Sequence, residues 1–177
     1  MTVVESALVL AVFCLLLFGI FEYSRFLYVM HVTHNATRDG ARYAVVNMDK
    51  PTNFDTTDYT DASGAVTWSI QRYTTVRMGG TDKQLVGYKV AVFAVDGAGL
   101  ALSPPVVRPK TTSTGAPPTY PDPFNSSDPN KVPWNQASFS EGVAVTIQGD
   151  YRPFLPAFMF LPSSFTVSVT ALAGSEG

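Results

Sequence analysis

Residues 1–21 read MTVVESALVLAVFCLLLFGIF, a run that is apolar from Ala7 to Phe21 apart from nothing but a glycine and a cysteine. One carboxylate, Glu5, stands near its start. An acidic side chain within a membrane helix costs about 2.5–3.5 kcal/mol even on lenient scales, so it normally has a partner and a task. The nearest positive charge in sequence is the α-amino group of Met1. A helix cannot easily fold its own end back onto Glu5, so the amine of a neighbouring copy is the better partner. Met1 and Glu5 are therefore a candidate assembly pair. The plainer alternative is that Glu5 sits in the first turn because the helix dipole favours negative charge there.

Ser6 to Phe21 is sixteen residues, or about 24 Å of helix. With Val3 and Val4 the segment approaches the roughly 20 residues that a bilayer core takes. No Lys or Arg precedes Ala7, and Glu22-Tyr23-Ser24-Arg25 follows Phe21. Neither the basic start nor the small-residue cleavage site of a secretory signal is there. A missing basic flank fits a leader already removed before Met1; a plain start codon is the other reading. Cys14 is the single cysteine, which leaves no intrachain disulfide and reads as a small buried hydrophobe.

No proline interrupts residues 22–47, and Pro51 supplies the stop. A helix over residues 3–47 would run roughly 65–70 Å. Leu8, Val12, Leu15, Leu16 and Gly19 are its candidate packing positions in the apolar half, with Gly19 the one flexible point. In the second half Ala36, Gly40 and Ala44 recur every four residues, a strip of small side chains that lets another helix or a sheet approach the backbone. Tyr23, Leu27 and Met30 extend a larger apolar face below it. Glu22 with Arg25, and Asp39 with Arg42, are spaced to pair on the surface.

Glu5 followed by an apolar helix resembles the N-terminus of processed type IV pilins. Residues Ala36-Thr37-Arg38-Asp39-Gly40-Ala41-Arg42-Tyr43-Ala44-Val45 resemble the signature of the TadE-like family, the pilin-related pseudopilins of tight-adherence (Tad) systems. The segment Val143–Ala173, with Tyr151-Arg152-Pro153-Phe154-Leu155-Pro156 between two strands, is similar to that family as well. The resemblance implies a prepilin peptidase that removes a basic leader, an amine open to methylation, and an inner-membrane assembly platform as partner. It does not separate a major from a minor subunit.

Residues 48–177 read as a globular head. Residues 55–61 form a polar loop, and Val66 to Met78 has helical spacing closed by Gly79-Gly80. Leu85–Val95, Gly142–Gly149 and Phe165–Leu172 read as strands. Nine prolines between Ser103 and Pro133 forbid a regular element and give a long extended loop, residues 103–133. The expected fold is α+β: a long N-terminal hydrophobic helix over residues 1–47, with a small antiparallel-sheet head packed on its upper half, a lollipop.

Net charge is −2 and charged residues are 15% of the chain, too few cations to neutralise a run of phosphates, so nucleic acid is excluded as a partner. No catalytic constellation or cofactor motif is present. His31 and His34 share a helix side but make an incomplete zinc site. Asp55, Asp58 and Asp61 could gather a calcium ion, though their spacing of three differs from an EF-hand and suits a solvated loop. Asn35 and Asn125 match the glycosylation acceptor pattern, Asn125 being the better placed.

The expected function is structural, not enzymatic, and needs no cofactor: a pilin-like subunit held in the inner membrane, then packed with copies of itself into an extracellular filament that serves adhesion. A minor pseudopilin that primes assembly shares every feature. A bitopic membrane protein whose head binds a glycan through Trp68, Tyr120, Phe124 and Trp134 is the other alternative.

Overall fold

The computed structural model describes residues 3–96, 106–110, 120–138, 141–154 and 162–174. Helix α1, Val3–Val46, is 44 residues long and about 66 Å from end to end. It has no internal proline, and it ends where Asn47 donates its amide to Ala44 O and its side-chain Nδ2 to Tyr43 O, both near 3 Å. The chain is an α+β lollipop, with the lower half of α1 as its stick.

Above the stick, a short 3₁₀ turn (Thr52–Asp55) leads into a hairpin of β1 (Tyr59–Thr60) and β2 (Val66–Thr67). Helix α2, Ile70–Arg77, follows. It starts four residues later than the spacing predicts, because Val66 pairs with Thr60 across the hairpin and Ser69 is the cap, accepting from the Arg72 amide at 3.4 Å. β-branched residues in so short a run serve a strand as readily as a helix. The predicted stop at Gly79-Gly80 holds, both residues having positive φ (59° and 87°), which costs a glycine little.

Strands β3 (Leu85–Val95), β4 (Gly142–Tyr151) and β5 (Phe165–Gly174) form an antiparallel sheet in that order. The central strand is buried along nearly its whole length, because both faces of the sheet are covered. Alternate residues such as Val92, Val145 and Val169 face α1 and α2. Ala91, Phe93, Val95 and Ala144 face the other way, against Val107 and Phe124.

That second cover includes part of the extended loop 103–133. In its described parts, Val107 bridges to Val95 and Pro109 to Lys131. Arg108 donates its amide to Ala94 O at 2.8 Å and ion-pairs with Glu141 at 2.6 Å. Proline suits an extended cover strip that needs few of its own amide donors.

The inward stripe of α1 also differs from the expected one. It runs through Val29, Thr33, Ala36, Thr37, Gly40, Ala41 and Ala44, with Phe26 below, while Tyr23 and Leu27 stay exposed and only Met30 packs inward. Thr33 and Thr37 are fully buried yet satisfied, each hydroxyl donating to the carbonyl four residues back, at 2.7 and 2.6 Å.

Candidate assembly helix and its junction with the head

From Val3 to Phe21 almost every large apolar side chain of α1 is exposed, Leu8 at 65% and Leu16 at 58% among them. Val12 and Leu15 are exposed too, and Gly19 lies at the top of the stick. The helix is long and apolar enough to cross a membrane, and none of its most apolar window is buried within the chain. Burying such side chains is worth about 1.5–3 kcal/mol each, and contiguous apolar surface of this extent marks an interaction site. Glu5 sits in the first turn. Met1, its expected partner from a neighbouring copy, lies outside the described residues.

Where the stick meets the head, Glu22 and Arg25 bind the end of β4. Glu22 accepts from the Tyr151 hydroxyl and from the Phe154 amide at 3.2 Å, with Arg25 Nη2 3.8 Å away. Arg25 Nη2 donates to Arg152 O at 2.8 Å, and its guanidinium lies over the rings of Tyr151 (4.9 Å) and Phe154 (5.9 Å). The expected surface pair Glu22–Arg25 is thus part of a clasp. Burial and the Glu22 carboxylate push the Tyr151 phenol up to about 12, so it stays a donor. Beside the clasp Gly19, Tyr23, Phe26, Tyr151, Pro153 and Phe165, with Glu22 at one wall, line a groove of about 370 Å³.

The strip of small residues lies against the head's own helix α2. A Cβ on Gly40 would fall 2.4 Å from Thr74 Oγ1, and that hydroxyl is held by donation to Ile70 O at 2.7 Å. Ala36 and Ala44 are buried on the same stripe. Tyr43 stacks on Tyr73 of α2 with centroids 4.0 Å apart, and Asp39 faces Arg77 at 3.6 Å rather than the expected Arg42.

The three candidate calcium aspartates have separate neighbours. Asp55 is buried in the 3₁₀ turn, and burial raises its carboxyl. Asp58 accepts the Ser69 amide at 2.8 Å and pairs with Arg72, contacts that hold its carboxyl low. Asp61 accepts from the Ser63 hydroxyl and amide (2.6 and 2.8 Å) and the Ala65 amide (2.9 Å), closing the hairpin turn, and is likewise lowered. Among the described residues no three His, Cys, Asp or Glu side chains are grouped to hold a metal. His31 and His34 lie on the exposed face of α1, where Asn35 Nδ2 is 3.2 Å from His31 Nε2. Asn125 is in an exposed turn, its Oδ1 accepting the Ser127 amide at 3.1 Å.

The four aromatics do not make one platform. Trp134 is buried in the core and donates Nε1–H to Thr52 O at 2.8 Å, and Phe124 packs on the sheet. Trp68 lies under the Arg72 guanidinium and Tyr120 is exposed. The clasp escaped the sequence reading; its one local signal is a carboxylate and an arginine directly after the apolar run.

A family model described as TadE-like protein matches residues 1–42, which take in the whole stick, the clasp residues on α1 and the small strip up to Gly40. Over that segment the chain is similar to this family, and residues 143–173 lie outside the match. No curated protein and no solved structure matches the chain.

Proposed function

We propose that this chain is a structural subunit of a Tad-type surface filament, anchored in the inner membrane by the stick and then polymerised through it. The observation that carries this reading is that one helix supplies both the core of the head and an uncovered apolar rod. Lipid covers the rod before assembly, and the rods of neighbouring copies cover it afterwards. The TadE-like likeness over the rod supports the choice of filament type. On the same likeness, a prepilin peptidase and an assembly platform act on the chain, and Glu5 takes the Met1 amine of a neighbour. That pair sets register more than it adds stability, since buried ion pairs roughly break even. The Leu8–Phe21 surface supplies cohesion at about 25 cal/mol per Å² buried.

The test is electron microscopy of sheared surface material from wild type and a Glu5→Ala strain, with mass spectrometry of its main protein. Filaments composed of this chain, lost in the variant while the protein stays in the membrane, are expected. Filaments composed of another subunit would instead assign it the minor, priming role. Unchanged filaments in the variant would defeat the role given to Glu5.

A further inference from the structure

The groove at the junction has a height, a lining and a charge that together select an occupant. Counting from Val3, Gly19 lies about 24 Å and Phe26 about 35 Å along α1. A bilayer core is about 30 Å thick, so a stick that spans it places the groove at the headgroup boundary next to the head. The lining is aromatic and aliphatic, continuous with the exposed stick below. Glu22, the one carboxylate at its wall, is turned to the Tyr151 hydroxyl and the Phe154 amide and so does not demand water in the groove. Phe154 is 80% exposed beside it and adds apolar surface at that height.

Two arginines flank this apolar slot. Arg152, next to Pro153 of the lining, is exposed. Arg25 Nε is buried with no hydrogen-bond partner among the described residues. At this end of the groove, sequence and contacts set two cations, Arg25 and the exposed Arg152, against one carboxylate, Glu22. A neighbour's stick carries one carboxylate, Glu5, which the proposed assembly gives to a Met1 amine, and from Ser6 to Phe21 it brings no charge, nor do the chain's own residues 155–161, LPAFMFL. An anionic phospholipid brings both an acyl chain and a phosphate, the group for which a guanidinium is best shaped.

We propose that the groove seats an acyl chain of an anionic phospholipid from the leaflet beneath the head, with Arg25 and Arg152 as partners of its phosphate. This rests on the membrane-anchored state proposed above. The lipid fixes the depth and tilt of the head before assembly, and it has to leave or be carried along when the subunit enters a filament.

The test reconstitutes the full chain in phosphatidylcholine vesicles with a trace of phosphatidylglycerol carrying a photoreactive diazirine on one acyl chain. Labelled peptides are mapped by mass spectrometry. Labelling of residues 151–153 and Phe165 as well as the stick is expected. Gly19→Leu, which puts an aliphatic side chain into the groove, is expected to cut head labelling by at least about fourfold, the change that one displaced methylene brings, with stick labelling retained. Arg25→Gln with Arg152→Gln is expected to abolish the advantage of the phosphatidylglycerol probe over a phosphatidylcholine probe. Head labelling that is absent while the stick is labelled, or that ignores Gly19→Leu, overturns the groove as a lipid seat and leaves the anchored helix standing. So does a photo-crosslinking residue placed at Tyr23 that captures residues 155–161 or a second copy instead of lipid. Loss of labelling on the stick as well removes the membrane reading itself.

Discussion

The two halves of α1 share one backbone and one pattern of hydrogen bonds, yet among the described residues only the upper half is buried against the head. Above Phe26, buried residues fall on a single stripe and the polar side chains His31, His34, Asn35 and Arg38 lie outside it. Below Glu22, apolar side chains stand all round the helix and, among the described residues, none belongs to a core cluster. A helix with one apolar stripe is completed by its own domain, whereas one apolar on every side is completed by lipid or by other helices. The contrast teaches that a single continuous element carries the fold at one end and the assembly surface at the other. The Glu22–Arg25–Tyr151 clasp marks the boundary between them.

The largest break in this contrast comes from charging the lower half. Val12→Arg with Leu16→Arg puts two cations in the span and opposes insertion by about 5–7 kcal/mol, at 2.5–3.5 for each. The protein is expected to leave the membrane fraction while the near-UV circular dichroism of the head is unchanged. The converse experiment fills the upper half. Gly40→Val drives a branched side chain into Thr74, and about 1–3 kcal/mol of head stability is lost to overpacking, read by chemical denaturation. Its membrane partition is expected to stay at the wild-type level.

A smaller effect is expected at the boundary. Tyr151→Phe removes a hydrogen bond to the Glu22 carboxylate, worth about 1.5 kcal/mol for a charged acceptor. The same variant carries a pH signature. The Tyr151 phenol is raised from 10 to about 12 in the folded chain, so its contribution is fully present below pH 10 and is lost as pH rises towards 12. Denaturation midpoints against pH should show wild type losing more stability than Tyr151→Phe over that interval. The smallest effect is at the top: a double-mutant cycle of Tyr43 and Tyr73 is expected to give about 0.5–1.5 kcal/mol for their stack, with insertion again unaffected.

Much of this division was legible in the residues. The stick is plain from its composition, and the three sheet strands from β-branched runs between turn residues, since these signals are local. Gly40 in its four-residue strip announced a close approach, although the sequence could not say that α2 of the same chain would be the neighbour. Long-range pairing was hidden. Tyr151 reaches Glu22 across 129 residues of sequence, and no pattern near either residue points to the other. The stripe of α1 was misjudged by choosing Tyr23 and Leu27 over Phe26 and Val29, because that part of the helix is apolar on more than one side. The packing of part of the 103–133 loop on the sheet was not legible, because prolines exclude regular structure but say nothing of burial, as Val107 demonstrates.

The most direct test of the division is a photo-crosslinking amino acid at Leu16, compared with one at Tyr28 higher on α1, in sheared surface filaments. Chain-to-chain ladders from Leu16, well in excess of those from Tyr28, are the predicted result. Monomers alone from Leu16 in intact filaments would contradict the account, because the apolar stick would then not be the surface through which copies join.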